Sequence, residues 1–191
     1  MTIYTVGHSN HSIDHFLALL RDADIQTLVD VRSIPVSAYC PHFDKEPLQR
    51  ALRVAPVQYL FLGRELGGRP AETEFYDAAG YVLYDKMARS ARFQAGIERL
   101  LETGAQRPTA IMCGEEDPTA CHRHLLVSRV LAEAGNKIIH IRGNGALETY
   151  DDLLNRNRSP QLSLFEYMEP APWRSTRSVS PRSQPETSSE P

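Results

Sequence analysis

Residues 111–126 read Ile-Met-Cys-Gly-Glu-Glu-Asp-Pro-Thr-Ala-Cys-His-Arg-His-Leu-Leu, and this stretch decides the predicted fold. A strand-like apolar segment precedes the polar loop at its centre. A helix-like segment follows, with Pro118 at the expected first helical position. The loop gathers two of the chain's three cysteines, two consecutive glutamates and a His-Arg pair. A strand that passes through a polar loop into a helix is the building unit of an α/β protein.

The remainder of the chain repeats this alternation of strands and helices. Runs of β-branched and aromatic residues predict strands at residues 2–7, 27–31, 58–62, 109–112 and 137–141. Apolar residues at helical spacing predict helices near residues 12–20, 48–52, 81–87, 90–104, 119–134 and 148–154. We therefore predict a single-domain α/β fold, with a mostly parallel sheet of about five strands and helices on both faces.

The composition predicts three regions along the 191 residues. Residues 1–155 should form the α/β domain, and residues 156–169 a linker. Residues 170–191 contain five prolines and six serines with almost no apolar side chains, so we expect a disordered tail.

Charge and cysteine content limit the classes of function. The formal net charge of −3 makes the chain a poor stand-alone binder of phosphate backbones, because that affinity comes from basic residues. No apolar run approaches the roughly 20 residues that span a bilayer, so we expect no membrane partner. Three cysteines without an export signal predict a cytoplasmic protein whose cysteines are thiols or ligands.

The predicted strand ends indicate where a ligand should bind. In parallel α/β folds, ligands bind beyond the carboxyl ends of the strands. Polar residues or glycine follow all five predicted strands: His8 and Ser9, Asp30 and Arg32, Gly63, Cys113 to Glu115, and Arg142 and Gly143. Together they predict a polar crevice at one edge of the sheet.

The central loop carries the candidate catalytic residues. If Asp117 caps a helix, Cys121, His122 and Arg123 fall in its first turns, where the helix dipole and the arginine favour a thiolate. The same backbone N–H groups and arginine could instead hold an anion.

Two carboxylates and a second thiol complete this candidate set. Glu115 at the strand end suits acid–base work, and Cys113 is a second candidate nucleophile. The structural alternative is that both cysteines are buried packing residues and that Arg123 forms a salt bridge with Glu115 or Glu116.

Zinc is a minor alternative, so no cofactor is expected. Candidate ligands are Cys40, His42, Cys113 and Cys121, with His8 or His122. Seven residues separate Cys113 from Cys121, which is not the spacing of a zinc ribbon or finger.

Five further residues, at three places in the chain, are candidate substrate-binding residues. His8 and Ser9 could bind or polarise a substrate, or could simply complete a turn. Asp30 and Arg32 form either an orienting pair or part of the binding site. Arg69 follows two glycines that would allow a ligand to approach closely.

These motifs resemble the bacterial family known as domain of unknown function 488. The residues that carry the resemblance are Thr5 to Ser9, Asp30 to Ser33 with Pro35 and Ser37, Tyr59, Leu62 and Gly63, Leu66 to Arg69, and Met112, Cys113, Glu115, Pro118 and Cys121 to Arg123. The resemblance spans roughly residues 3–153. It implies an α/β fold and a shared motif, brings no established reaction, and suggests a link to nucleic-acid processing.

A second motif lies in the predicted linker. Gln161, Leu162, Ser163, Leu164 and Phe165 resemble the peptide by which bacterial polymerases and repair proteins dock on the DNA polymerase sliding clamp. Such a segment inserts aliphatic and aromatic anchors into a pocket of its partner. Alternatively, these residues pack on the domain as an edge strand.

Three functions remain open from the sequence. The first is an enzyme that acts on DNA or a nucleotide and is tethered to the clamp. The second is a non-catalytic adaptor that recognises a nucleotide or a DNA end. The third is an enzyme on a small nucleotide-like metabolite, in which case the peptide match is accidental.

Overall fold

The computed structural model describes residues 1–157, 173–179 and 181. Its strands are β1 (Thr2–Gly7), β2 (Thr27–Asp30), β3 (Gln58–Phe61), β4 (Tyr81–Leu83), β5 (Thr109–Cys113), β6 (Lys137–Ile141), β7 (Leu147–Thr149) and β8 (Arg174–Ser178). Six of them form one sheet in the order β3-β2-β5-β1-β6-β7. The first five in this order are parallel, and β7 is antiparallel to β6. The predicted α/β fold is confirmed, with one short strand more than expected in the sheet.

The helices are α1 (Ile13–Asp22), α2 (Lys45–Val54), α3 (Gly63–Leu66), α4 (Tyr84–Ala88), α5 (Ala91–Gln106), α6 (Arg129–Glu133) and α7 (Tyr150–Asn157). Serine side chains cap the N-termini of α1 and α5, as expected from the capping preference of serine. The Ser12 hydroxyl accepts from the N–H of His15, and the Ser90 hydroxyl accepts from that of Phe93. A π-helical turn, Arg123–Ser128, leads directly into α6.

Two apolar cores cover the two faces of the sheet. On one face, α1 and α2 bury Phe16, Leu20, Leu48 and Leu52. On the other face, α5 and the Arg123–Glu133 helix bury residues that include Phe93, Leu100, Leu126 and Leu131. Helices therefore lie on both faces, as predicted.

The strand order places a crevice at the carboxyl end of β5. This strand lies between β2 and β1. The chain leaves β1 and β2 toward the face covered by α1 and α2, whereas it leaves β5 toward the opposite face. Loops that diverge in this way open a topological switch point, where ligands bind in doubly wound sheets.

The C-terminal strand corrects the expectation of disorder for part of residues 170–191. β8 pairs antiparallel with β4. Trp173 anchors it: the indole Nε1 donates to the Leu125 carbonyl at 2.6 Å, and the Arg129 guanidinium lies 4.2 Å from the centre of the ring. Backbone pairing and one tryptophan hold this segment, so its polar composition does not prevent it from ordering.

Two other expectations concern the C-terminal peptide and the membrane. The peptide at residues 161–165 lies outside the described residues. Within residues 1–157 and 173–179, no helix has the length and apolar character needed to cross a bilayer.

Candidate functional site

A pocket of about 530 Å³ lies at the carboxyl ends of β1, β2 and β5. The predicted site residues His8, Arg32, Arg69, Cys113, Glu115 and His122 all line it. The opposite wall was not predicted from the sequence and comes from Tyr84 and from the β8 region, with Ser175, Thr176, Arg177 and Val179. Two parts of the chain that are distant in sequence therefore enclose one site.

A compact cluster of two thiols and an imidazole lies at the base of the pocket. One ligand atom each from Cys113, Cys121 and His122 lie within 4.8 Å of one another. The Cys113 Sγ is 3.5 Å from the His122 Nδ1 and 3.6 Å from the Glu115 Oε2. Cys113 lines the pocket, whereas Cys121 is 1% exposed and is not among the lining residues. We call these three residues the Cys-Cys-His cluster.

The orientation of His122 is fixed from two sides. Its Nε2 lies 3.0 Å from the Val31 carbonyl, so this nitrogen carries a proton and donates it. The Nδ1 is thereby directed toward the thiols. A Cβ atom at Gly68 would lie 2.6 Å from the His122 Cγ, so the glycine at this position leaves space for the ring. This contact explains one glycine of the Gly67-Gly68 pair.

The pKa values of the two thiols move in opposite directions. Hydrogen bonding to Cys121, together with burial, raises the pKa of Cys113 well above its usual value. Burial alone would raise the pKa of Cys121, but the Cys113 thiol, Arg123 and His122 outweigh burial and lower it well below the usual value. Burial opposes protonation of His122, yet the Cys121 sulfur and the Val31 carbonyl raise its pKa. Of the two thiols, Cys121 therefore has the lower pKa and is the one that more readily forms a thiolate.

The predicted helix start at Cys121 needs correction. Asp117 does act as a cap, because its carboxylate accepts from the Thr119 N–H at 3.0 Å, but Pro118–Ala120 is only a single 3-10 turn. Cys121 is extended, and its carbonyl accepts from the N–H of Leu125 at 3.0 Å. Cys121 thus precedes the Arg123–Glu133 helix instead of lying within its first turn.

Arg123 does not line the pocket, although the sequence placed it among the catalytic residues. It is fully buried, and its guanidinium donates to the backbone carbonyls of Glu115 and Glu116. The salt bridge to one of these carboxylates, which the structural alternative assumed, is also not formed. Arg123 instead holds the loop that carries Glu115.

Arg142 and Gly143 also hold this loop and do not form the predicted wall of the pocket. The Arg142 guanidinium pairs with the Glu116 carboxylate at 2.9 Å and with Glu148 at 2.8 Å. The Gly143 N–H donates to the same Glu116 carboxylate at 2.9 Å. Neither residue lines the pocket.

Asp30 and Arg32 form a buried orienting pair at the end of β2. The Arg32 Nη2 lies 2.7 Å from the Asp30 Oδ2, which also accepts from the Tyr59 hydroxyl at 2.8 Å. The Arg32 Nη1 lies 3.2 Å from the His8 Nε2. Because an arginine can only donate, the His8 Nε2 accepts, and its Nδ1 donates to the Ser9 carbonyl at 2.8 Å.

His8 is therefore a neutral residue of the pocket wall at pH 7. Burial, and then the charge of Arg32, lower its pKa to about 4. A cationic anion-binding role for His8 does not fit this environment. Ser9 does not line the pocket, and its hydroxyl contacts Asn10 at 3.4 Å.

Arg69 and Arg177 supply the uncommitted positive charge of the pocket. Both are exposed and line it. Neither forms an ion pair with a carboxylate in the part of the chain that the structure describes. Arg177 could not be identified from the sequence, because no apolar alternation marks β8. The one available signal was Trp173, the single tryptophan of the chain, which directly precedes this strand.

A protein-family model described as "Domain of unknown function DUF488" matches residues 12–130. The chain belongs to the DUF488 family. The match includes β2, the Gly67-Gly68-Arg69 loop and the Cys-Cys-His cluster, but it is shorter than the expected 3–153 and starts after His8. No curated protein and no solved structure matches the chain.

Proposed function

We propose that this DUF488 protein is an enzyme that acts on DNA or on a nucleotide, with the Cys-Cys-His cluster as its reactive centre. One observation carries the proposal: Cys113 and His122 of the cluster, the Glu115 carboxylate and two arginines without an ion pair among the described residues line one pocket. A pocket of about 530 Å³ has the size of typical small-molecule sites, which is consistent with a nucleotide ligand.

The chemistry of each group suggests its role. Arg69 and Arg177 suit phosphate, because a guanidinium donates two parallel hydrogen bonds to phosphate oxygens. Glu115 lies beside the Cys113 sulfur and suits acid–base transfer. Arg32 is occupied by Asp30 and the Phe43 carbonyl, so it shapes the pocket and holds His8.

We further propose that residues 161–165 tether the protein to the bacterial sliding clamp in the cytoplasm. The support is the match of Gln161, Leu162, Ser163, Leu164 and Phe165 to the docking pattern. A tether raises the effective concentration at DNA. It would compensate for a net charge of −3, which disfavours independent binding to DNA.

The substrate class is tested with the two arginines of the pocket. We expect Arg69→Ala and Arg177→Ala each to weaken binding of a fluorescent nucleotide or short oligonucleotide by at least about tenfold, since a charge-assisted hydrogen bond contributes roughly 1.5–3 kcal/mol. Fluorescence anisotropy measures the affinity. Arg53→Ala removes an equally exposed charge on α2 and serves as the control. Equal affinities in all variants would reject a phosphate-bearing substrate.

The catalytic role is tested separately from binding. We expect Glu115→Gln and Cys113→Ser to lose activity in a DNA-damage survival assay while the purified variants still bind nucleotide. Full survival with both variants would reject catalysis and leave a non-catalytic adaptor.

Clamp docking has its own test. The double substitution Gln161→Ala with Phe165→Ala should abolish binding of the full-length protein to purified sliding clamp in surface plasmon resonance. Ser183→Ala with Gln184→Ala is the matched control. Unchanged binding after loss of both anchors would refute the docking motif.

A further inference from the structure

We propose that Cys113, Cys121 and His122 bind one Zn²⁺ ion, with the fourth coordination position open to the pocket. The sequence spacing disfavoured zinc because it matches no ribbon or finger. The fold nevertheless brings a strand end and a helix start together, so ligands that are eight and nine positions apart along the chain converge in space.

The distances fit tetrahedral coordination. Zinc lies about 2.3 Å from a thiolate sulfur and about 2.0 Å from an imidazole nitrogen, which places the two ligand atoms about 3.5 Å apart at a tetrahedral angle. The Cys113 Sγ and the His122 Nδ1 are 3.5 Å apart. The Cys121 sulfur lies within 4.8 Å of both.

The surroundings hold the ligands in place. A metal-binding histidine usually donates its second ring N–H to a carbonyl or carboxylate, and the His122 Nε2 donates to the Val31 carbonyl at 3.0 Å. Gly68 packs against the ring. The Cys113 carbonyl accepts from the His8 N–H at 2.9 Å, which ties the end of β5 to β1.

The donor atoms select the metal. Two thiolates and an imidazole suit Zn²⁺, whereas Mg²⁺ and Ca²⁺ prefer oxygen ligands. Two thiolates also neutralise a divalent charge. Cys₂His with one open position is one of the ligand patterns of catalytic zinc sites. The fourth ligand would be water, a substrate oxygen or the Glu115 carboxylate, which lies 3.6 Å from the Cys113 sulfur.

This inference deepens the proposed function, because it concerns the same reactive centre. With zinc bound, both thiolates are ligands, and the open position of the metal polarises a substrate oxygen or a water molecule. Metal binding is measured without substrate. Its failure would leave the proposed nucleotide site intact, and failure of nucleotide binding would leave the metal site intact.

Cobalt binding to the full-length protein tests the site. Co²⁺ replaces Zn²⁺ in tetrahedral thiolate sites and makes them coloured, through thiolate-to-metal charge transfer and visible d–d bands. We expect these bands to saturate at about one equivalent per chain and added Zn²⁺ to bleach them. Cys113→Ser, Cys121→Ser and His122→Asn should each remove or shift the bands. Cys40→Ser, at the third buried cysteine, should leave them unchanged.

A second measurement needs no variant and so does not depend on whether the variants fold. Zinc should protect Cys113 and Cys121, but not Cys40, from alkylation during partial unfolding, as mapped by mass spectrometry. The proposal is overturned if the wild-type protein shows no thiolate–cobalt band. It is also overturned if the band survives in the double variant of Cys113 and Cys121, or if zinc protects neither cysteine.

Discussion

At the scale of single residues, the sequence predicted some of the residues that line the pocket but not what each would do. Cys113, Glu115 and His122 share the pocket because they flank one strand end, which a local motif reveals. The role of Arg123 depends on where its side chain turns. The guanidinium turns inward to the carbonyls of Glu115 and Glu116, and no spacing rule shows this.

The contact between Gly68 and His122 yields a prediction on stability. Gly68→Ala should lower the free energy of unfolding by about 1–3 kcal/mol, because the added methyl group overlaps the base of the imidazole. Gly114→Ala is the control, since its Cβ would meet the His8 Nε2 at an ordinary 3.8 Å and should cost less than about 0.5 kcal/mol. Urea unfolding measures both. Equal values for the two variants would contradict the packing role of Gly68.

The buried histidine His140 predicts a dependence of stability on pH. Burial, followed by the charges of His124 and Arg123, lowers its pKa to about 3. Between pH 6.5 and 3 the unfolded chain therefore binds a proton that the folded chain does not, so stability falls as the pH falls. The contribution is up to about 1.4 kcal/mol per pH unit.

His140→Gln tests this contribution. We expect the variant to lose less stability than the wild type between pH 6 and 4, as measured by urea unfolding at each pH. Thr5→Val is the control, because it removes the 2.7 Å contact with the His140 Nδ1 but keeps the titrating ring. A steeper or unchanged dependence in His140→Gln would show that His140 is not a source of the acid sensitivity.

At the scale of elements, runs of β-branched and apolar residues predicted the strands that are buried on both faces. β2 and β5 are buried throughout, and their continuous apolar runs are visible in the sequence. β4, β7 and β8 were missed because each is a short edge strand. β7 and β8 are also polar, and β4 occupies the start of the helix that was predicted near residues 81–87. The predicted helix at residues 119–134 is interrupted at Cys121, because Pro118 starts a single tight turn that closes before the next helix begins.

The anchoring of β8 through Trp173 predicts how one wall of the pocket can be removed. Trp173→Ala should speed amide exchange at residues 174–178, because the Leu125 hydrogen bond and the Arg129 contact are both lost. Nucleotide affinity should fall as Arg177 loses its position. Trp173→Phe keeps an aromatic ring for the Arg129 contact and loses only the Nε1 hydrogen bond, so its effect should be smaller. Hydrogen exchange measures the effect, with β1 as the internal reference, and unchanged exchange in β8 would contradict the anchoring role.

At the scale of the whole molecule, the position of the site follows from topology. Parallel strands whose connections leave toward opposite faces create a crevice at their carboxyl ends. The strand alternation alone therefore predicted which edge of the sheet carries the pocket. The second wall could not be predicted, because β8 follows Cys113 by about 60 residues along the chain and no local pattern indicates that the two lie close together.

The proposed function requires a phosphate-bearing substrate to bind beside the Cys-Cys-His cluster. Photo-crosslinking with a light-activated nucleotide, followed by mass spectrometry, shows where such a substrate binds. Crosslinks should map to residues 113–122 and 174–179, and they should be lost in the Arg69→Ala, Arg177→Ala double variant but kept in Arg53→Ala. Crosslinks that map outside these segments, or that persist in the double variant, would contradict the proposed function.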